Sequence, residues 1–304
     1  MSLDPSYLQY PKRRRGMDHD RYPFSMLHER PPLRWPGDKP LAISIVVAVE
    51  HFPLNQQGKP FKVPGGMTTA YPDLRHYSLR DYGNRVGIWR VLRALDAARV
   101  PASFAINAAV IERYPTLART LAARGDELIA HGPHMDALHF QGLSENTERA
   151  FIESSRDALA AIGPTPRGWL SPAKQQSSLT PDLLHEAGFA YMLDWVNDEL
   201  PYRFSTRKGS ITAIPLSTEL EDRFVMLNNL HSEHSWVTQV SDAIDWLGSE
   251  ASPSSPRLLM LLVHAWVVGQ AHRIAAFETL LARIARAGAS LLTPSAIAAA
   301  SANS

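Results

Sequence analysis

The chain has 304 residues, of which 45% are hydrophobic and 20% are charged, and its formal net charge is +1. These values are typical of a globular enzyme, they exclude a disordered chain, and the small net charge gives no reason to expect a nucleic-acid partner. The chain contains no cysteine, which excludes disulfides, thiolate metal ligands and a cysteine nucleophile.

Two further absences bear on location. No stretch near Met1 resembles the apolar core of a secretion signal, and no apolar run is long enough to span a bilayer. We therefore expect a cytoplasmic protein without a membrane partner. Because a hydrolase that acts on a cell wall usually needs export, these absences favour a small intracellular substrate.

The pattern along the chain predicts an arm followed by one domain. Residues 1–40 are rich in Pro, Arg and Tyr and show no clear period, so we predict an extended arm that wraps the body and ends near the turn Trp35–Asp38. Residues 41–304 contain no internal repeat and have the length of one large α/β barrel. We predict a single barrel domain over this range.

The first predicted strand is Leu41–Val49, a continuous β-branched and apolar run that is typical of a strand buried on both faces. It ends at Glu50. A carboxylate at the exit of a buried strand is well placed for catalysis or ligand binding, and the alternative is a Glu that pairs with a nearby Arg. Residues 51–80 contain several Pro and Gly, which predicts a long loop.

The first helix is predicted to start near Asn84, with Ser78 or Asp81 as its cap. Apolar residues at helical spacing support this helix: Val86, Trp89, Leu92, Leu95 and Ala98. Arg80 and Tyr82 would then precede the helix and lie on the same rim as Glu50.

The alternation of strands and helices then continues to the end of the chain. Further strands are predicted at 101–107, 128–131, 167–171, 191–195, 212–216, 258–263 and 290–293. Helices are predicted at about 109–124, 145–162, 180–188, 237–247 and 272–287, with Ser144 and Thr180 as N-caps and Gly125, Gly188 and Gly288 at C-terminal ends. About seven such units predict a parallel sheet covered on both faces. We favour a closed or distorted (β/α) barrel over a doubly wound sheet, because no Gly-rich phosphate loop follows the first strand.

Polar side chains gather at the C-terminal ends of these strands. In the densest cluster the apolar run ends at His131, and His134, Asp136 and His139 follow. The ends of parallel strands form the site in α/β barrels, so we expect chemistry here. The alternative is a loop with surface histidines.

Five stretches carry a resemblance to a known family: DYGNRVGIWR (81–90), DELIAHG (126–132), GWLSPAKQQSSLTPDLLHEAGFAY (168–191), LDWVNDELPY (193–202) and LVHAWVVGQAHRI (262–274). In this order they resemble the NodB/polysaccharide-deacetylase superfamily, and within it the allantoinase-like and cyclic-imide-hydrolase-like branch. The resemblance spans about residues 35–295. It implies a distorted (β/α) barrel of seven or so strands and a hydrolase of carbon–nitrogen bonds.

The metal motifs of this family are altered here. Its first motif usually supplies paired aspartates after the first strand. In this chain, Glu50 and His51 follow that strand instead. Its second motif is a His followed four residues later by another, but that position after His131 is Met135, and His134 comes one position early. The family's Arg-x-Pro-Pro motif is replaced by residues 168–172, whereas the terminal motif survives at 262–264. These changes resemble the allantoinase-like branch, some members of which are said to act without a metal.

Hydrolysis of a cyclic amide requires an activated water, a polarised carbonyl and a proton for the leaving nitrogen. We predict that Glu50 and His131 act as base or position the water. The deacetylase resemblance implies that His264 is the acid or the oxyanion stabiliser. The residues predicted to bind a small planar substrate are Arg80, Tyr82, Trp169, Ser171, Asp194, Trp195 and Trp266. A core role is the alternative for each Trp, and Arg85 is an alternative to Arg80 unless it pairs with Asp81 or Glu50.

The cofactor prediction is none or one divalent metal, because Glu50, His131 and His134 or His139 offer donors that suit Zn²⁺. The favoured function is a hydrolase that opens a small cyclic amide such as allantoin, an imide or a ureide. The alternatives are a metal-dependent deacetylase of an N-acetylated sugar in carbohydrate metabolism and a barrel that only binds a ligand. The expected partner is a small molecule, and the family resemblance implies a homodimer or homotetramer with the arm as a contact.

Overall fold

The computed structural model describes residues 19–31, 33–56 and 72–302. Most of the predicted arm and the middle of the predicted loop 51–80 lie outside these ranges. In the described ranges, no helix has both the length and the apolar character that a membrane crossing requires.

A curled sheet forms the centre of the fold. Its strands are β1 (Leu41–Val49), β2 (Ser103–Ile106), β3 (Leu128–Ala130), β4 (Gly168–Trp169), β5 (Tyr191–Met192), β6 (Tyr202–Thr206), β7 (Gly209–Ala213), β8 (Arg257–His264) and β9 (Ser290–Leu291). Their order is β6-β7-β5-β4-β3-β2-β1-β8, and β9 also pairs with β1. β6 and β7 are antiparallel, whereas the other pairs in the described residues are parallel. The sheet curls into a half-barrel, which confirms the predicted distorted (β/α) barrel.

The central strand β1 has the predicted bounds and is buried along its whole length. Its side chains alternate between two cores, as a pleated strand requires. Ile43, Ile45, Val47 and Val49 pack with the surrounding helices, whereas Ala42, Val46 and Ala48 face the inside of the half-barrel. Burial on both faces explains the uninterrupted apolar run.

Ten helices surround the sheet in the described residues. They are α1 (Leu74–Tyr82), α2 (Ile88–Ala98), α3 (Ala108–Arg113), α4 (Pro115–Ala123), α5 (Glu145–Ala160), α6 (Thr180–Glu186), α7 (Glu233–Glu250), α8 (Ala265–Val268), α9 (Ile274–Ala285) and α10 (Pro294–Ala302). The predicted cap of α5 is confirmed, because the Ser144 hydroxyl accepts the Thr147 N–H at 3.2 Å. Two π-helical turns interrupt the pattern, at Gly83–Gly87 and Phe224–Asn228.

The predicted start of the first helix near Asn84 is wrong. Helix α1 begins at Leu74, and the Asp73 side chain caps it by accepting the His76 N–H at 2.9 Å. Arg80 therefore lies inside a helix and does not precede it. The apolar spacing missed α1 because this helix buries His76 and Arg80 in place of apolar residues. The π-helical turn at Gly83–Gly87 then changes which residues face the core before α2 begins.

Three other elements differ from their predicted form. The helix expected at 109–124 is divided at Tyr114, because Pro115 starts a new helix. Thr180 is the first residue of α6, and its side chain does not cap the helix. The hairpin β6–β7 replaces the short strand predicted at 212–216.

Two glycines allow α8 to approach the π-helical turn at backbone distance. A Cβ on Gly83 would lie 2.8 Å from Trp266 Cβ, and one on Gly87 would lie 2.1 Å from the Ala265 carbonyl oxygen. Side chains at these positions would push α8 outward. Since α8 carries Trp266, the glycines fix one wall of the strand-end rim.

We expect Gly87→Ala to destabilise the protein by about 2–3 kcal/mol or more, because the new methyl group overlaps a backbone carbonyl. Chemical denaturation measures the change. Gly248→Ala is the matched control: the nearest atom to its Cβ is Leu41 Cδ2 at 3.9 Å, and it lies in α7. There the substitution should stabilise by roughly 0.5–1 kcal/mol. Equal unfolding midpoints for Gly87→Ala and wild type would contradict the close packing.

Candidate active site

The three residues predicted to be catalytic meet at the C-terminal ends of their strands. Glu50 follows β1, His131 follows β3 and His264 ends β8. Glu50 Oε1 lies 3.8 Å from His131 Nε2 and 3.7 Å from His264 Nε2. All three side chains are buried. One carboxylate oxygen therefore lies between two imidazoles.

The other groups around Glu50 fix its position and charge. Trp266 Nε1 donates to Glu50 Oε2 at 2.9 Å, and Asn84 Nδ2 donates to the Glu50 backbone carbonyl at 2.8 Å. Burial alone would raise the pKa of Glu50, but the nearby His264, His131 and Arg223 outweigh burial and lower the pKa to about 2. Glu50 is thus a carboxylate at neutral pH.

His131 is held so that one ring nitrogen faces the site. His131 Nδ1 lies 2.7 Å from the Leu170 backbone carbonyl. Because a carbonyl oxygen can only accept, this nitrogen carries the proton. His131 Nε2 is buried and has no hydrogen-bond partner among the described residues, so in the neutral ring its lone pair is available. Asn107 supports this strand end by donating to the His131 carbonyl and accepting the His51 N–H.

His264 is oriented by a carboxylate that the sequence analysis missed. His264 Nδ1 lies 2.7 Å from Asp222 Oδ1, and its backbone N–H donates to Asp222 Oδ2 at 2.8 Å. Burial lowers the pKa of His264, but Asp222, Glu50 and Glu221 outweigh burial and raise it. His264 therefore carries a proton on both nitrogens more readily than an ordinary imidazole.

A second missed group lies beside His264. Glu221 Oε2 accepts from Lys174 Nζ at 3.1 Å, and Glu221 Oε1 accepts from Arg223 Nε at 2.9 Å. The same Oε1 lies 3.7 Å from His264 Nε2. Glu221 and Asp222 come from a stretch with poor periodicity, which gave no signal of a strand end.

Three of the predicted substrate-binding residues form a buried network. Trp169 Nε1 donates to Ser171 Oγ at 2.8 Å, and Ser171 donates through its N–H and hydroxyl to the two oxygens of Asp194, at 2.7 and 3.1 Å. Trp169 and Ser171 are fully buried. Trp195 is half-buried at the edge of this network, and its Nε1 donates to Gln176 Oε1 at 2.9 Å. Substrate contact by these residues stays a prediction.

The other predicted substrate-binding residues lie on α1 and α8. The Arg80 guanidinium lies between two rings, 4.7 Å from the centre of Phe52 and 4.8 Å from the centre of Trp266. The Tyr82 hydroxyl accepts from Arg90. Exposed Arg85 lies 3.8 Å from Asp81, which is the pairing named as its alternative. Arg80 is thus linked to Glu50 through Trp266, on which it stacks and which donates to Glu50.

Of the donors predicted for a metal, Glu50 and His131 lie close together, whereas His134 and His139 have other partners. His134 Nδ1 accepts the Asp136 N–H of its own loop at 3.2 Å, and His139 Nδ1 pairs with Glu148 at 2.9 Å behind Trp169. A Zn²⁺ site needs at least three donors about 2.0–2.2 Å from one point. In the part of the chain that the structure describes, no three His, Asp or Glu side chains have such an arrangement. The residues present therefore do not fit a metal of the deacetylase type.

Comparison with known proteins shows which family and which solved structures the chain resembles. The family model described as "Polysaccharide deacetylase" matches residues 76–192. A crystal structure of a probable polysaccharide deacetylase from Pseudomonas aeruginosa PAO1 is 25% identical, covers 92% of this chain and 97% of its own, and has a TM-score of 0.80. Residues 76–192 therefore match the polysaccharide deacetylase family, which agrees with the resemblance carried by the sequence motifs.

Two other similar proteins match most of the chain. The crystal structure of Puue allantoinase is 25% identical over 92% of this chain and 97% of its own, with a TM-score of 0.78. A Schizosaccharomyces pombe protein named "Putative polysaccharide deacetylase" is 22% identical in an alignment of 278 residues that covers 82% of this chain and 86% of its own. The family match runs from α1 to β5 and includes His131 but neither Glu50 nor His264.

The lowered pKa of Glu50 predicts an acid-dependent stability. The folded-state pKa of about 2 lies below the ordinary value of 4.5. The associated stability is therefore present above about pH 4.5 and is lost as the pH falls toward 2. It amounts to something on the order of 3 kcal/mol.

Urea unfolding of the wild type and Glu50→Gln at several pH values between 6 and 2 checks this. The variant should lose less unfolding free energy on acidification than the wild type. The exposed Glu112→Gln protein is the matched control, and the same pH dependence in all three proteins would argue against a charged, compensated Glu50.

Proposed function

We propose that this family hydrolase opens a small cyclic amide of the allantoin, imide or ureide type by acid–base catalysis. The observation that carries the proposal is Glu50 Oε1 between the Nε2 atoms of His131 and His264, at 3.8 and 3.7 Å. The whole-chain similarity to Puue allantoinase supports a cyclic ureide as substrate. Family membership alone supports only the hydrolase class.

His131 and Glu50 act on the attacking water. A water about 2.8 Å from both His131 Nε2 and Glu50 Oε1 would donate one hydrogen to each, because the two atoms are 3.8 Å apart. Its lone pair is then directed at the carbonyl carbon. His131 Nε2 takes the proton, since Glu50 has too low a pKa to be the base. Glu50 orients the water and stabilises the imidazolium that forms.

His264 acts on the other side of the reacting bond. In its protonated form, its Nε2–H stabilises the developing oxyanion and is then donated to the ring nitrogen as the carbon–nitrogen bond breaks. Asp222 holds the ring through Nδ1 during this transfer. The new carboxylic acid ionises and its proton restores His264, while His131 releases its proton to solvent. Water is consumed, one C–O bond forms and one C–N bond breaks.

The Trp266 and Arg80 pair gives the site an aromatic and cationic wall. The Trp266 indole donates to Glu50, and the Arg80 guanidinium stacks on its ring. A planar, polar ring with carbonyl oxygens suits such a wall better than a long polysaccharide chain does. We therefore propose Arg80, Trp266 and half-buried Trp195 as substrate contacts.

The second candidate is a metal-dependent deacetylase of an N-acetylated sugar. The family match over residues 76–192 favours it. The donor groups argue against it, because His134 and His139 bind elsewhere and one oxygen of Glu50 is taken by Trp266. No catalytic step is therefore assigned to a metal.

A substrate screen on chelator-treated protein tests the choice. We expect turnover of at least one ring among allantoin, hydantoin, succinimide and glutarimide, with metal content far below one per chain and no gain on adding Zn²⁺. Turnover of N-acetylglucosamine oligomers that requires added metal would establish the second candidate. Failure with both classes would leave the ligand-binding alternative.

Two substitutions test the assigned roles on the active substrate. Glu50→Gln and His131→Asn should each lower kcat by roughly 10²- to 10⁴-fold, because each removes a group that acts on the attacking water. The exposed Glu112→Gln protein should keep wild-type kcat. Full activity of Glu50→Gln would refute the proposed mechanism.

A further inference from the structure

A buried carboxylate that the mechanism does not use lies next to the proposed acid. Glu221 is 1% exposed, and its two oxygens contact Lys174 Nζ and Arg223 Nε. Its Oε1 is also 3.7 Å from His264 Nε2. A merely structural ion pair has no reason to face the one ring nitrogen that must reach the substrate.

The lysine that holds Glu221 is placed by an unusual backbone. Ala173 and Lys174 both adopt left-handed φ values, 55° and 54°, which cost energy in residues with a side chain. The turn carries Lys174 past the end of β5 to the segment that follows β7. There Lys174 Nζ donates to Thr218 Oγ1 at 3.0 Å and to Leu216 O at 3.4 Å, besides Glu221. The strained turn is thus anchored to the segment that carries Glu221.

The two nitrogens of His264 have different surroundings. Nδ1 is committed to Asp222 at 2.7 Å. Nε2 lies 3.7 Å from Glu50 and 3.7 Å from Glu221, too far for a hydrogen bond to either. If Glu50 were the only carboxylate, an Nε2–H would turn toward it. With a carboxylate on each side, the proton is held between them and stays available for a third partner.

We propose that Glu221, clamped by Lys174 and Arg223, is a positioning residue that balances Glu50 and keeps the His264 Nε2–H directed at the departing atom of the substrate. The inference rests on the proposed function in one respect, namely that His264 is the proton donor. It assigns Glu221 no contact with substrate. Loss of Glu221 should therefore slow the chemical step and leave substrate binding intact.

Kinetics of Glu221→Gln on the active substrate provide the first test. We expect kcat to fall roughly 10- to 100-fold, since a misdirected proton donor has an effect of this size, while KM stays within about twofold. Glu219→Gln is the matched control, because Glu219 is an exposed carboxylate two residues away on the same segment. It should keep both constants.

Lys174→Met and Lys174→Arg distinguish a role of Lys174 in holding Glu221 from a general role in stabilising the fold. Lys174→Met removes one of the two cations on Glu221 and should lower kcat in the same direction with KM unchanged. Lys174→Arg, which restores the charge, should recover most of the loss. A loss of kcat that the Arg variant does not recover, or a parallel rise in KM in all these variants, would mean a structural role and would overturn the proposal.

Nitrogen-15 NMR on labelled protein without substrate gives a readout that is independent of the reaction. We expect an Nε2–H signal of His264, assigned by its absence in His264→Asn, to be visible in the wild type and in Glu219→Gln. In Glu221→Gln it should be moved or lost. An identical Nε2–H signal in Glu221→Gln would overturn the inference, whatever the substrate. If no ring is opened but the signal responds to Glu221→Gln, the proposed function fails and the positioning role stands.

Discussion

The burial of the Glu50 carboxylate is the constraint on which the rest of the site depends. An ionised carboxylate loses several kcal/mol of hydration when it is buried, so it persists only where other groups replace the water. Trp266 supplies a hydrogen bond, and His131, His264 and Arg223 supply positive or polar surroundings. These groups come from separate strand ends and from α8. Their convergence on one carboxylate requires the half-barrel to curl to the extent it does.

The open side of the half-barrel explains how His264 is held in place. β8 is one end of the strand order, and β7 is next to the other end, so among the strands that the structure describes no pairing closes the gap between them. The segment after β7 crosses this gap, and Asp222 bonds both the backbone and the ring of His264 at the end of β8. At this rim, side-chain hydrogen bonds rather than backbone strand pairing connect the segment after β7 to the end of β8. The same crossing brings Glu221 and Arg223 to the site.

Sequence patterns predicted the parts of the molecule whose signal is local. β1 was predicted with its observed bounds because a strand buried on both faces leaves an unbroken apolar run. Glu50, His131 and His264 were found because each follows such a run directly. Helix α1 was missed because it buries His76 and Arg80, which carry no apolar period.

Glu221, Asp222 and Lys174 left no local signal for a different reason. The contacts from Asp222 to His264 and from Lys174 to Glu221 join residues 40 or more positions apart, and only the crossing of the gap brings them together. Trp169 shows the converse. It was predicted to bind substrate, with a core role as the alternative, and the structure buries it in β4, where its Nε1 donates to Ser171 Oγ and its ring packs against His139.

The need of the buried Glu50 carboxylate for groups that replace its water links the altered metal motifs to the acid–base arrangement. A metal would neutralise a buried carboxylate and would consume the Nε2 lone pairs of neighbouring histidines. Here Trp266 takes one oxygen of Glu50, and the position four residues after His131 is Met135, which is buried and offers only a weakly coordinating thioether. With the carboxylate satisfied by an N–H donor, the lone pair of His131 stays free for a proton. In the proposed function, His131, His264 and Glu50 then supply the base, the acid and the fixed charge between them that opening an activated cyclic amide requires.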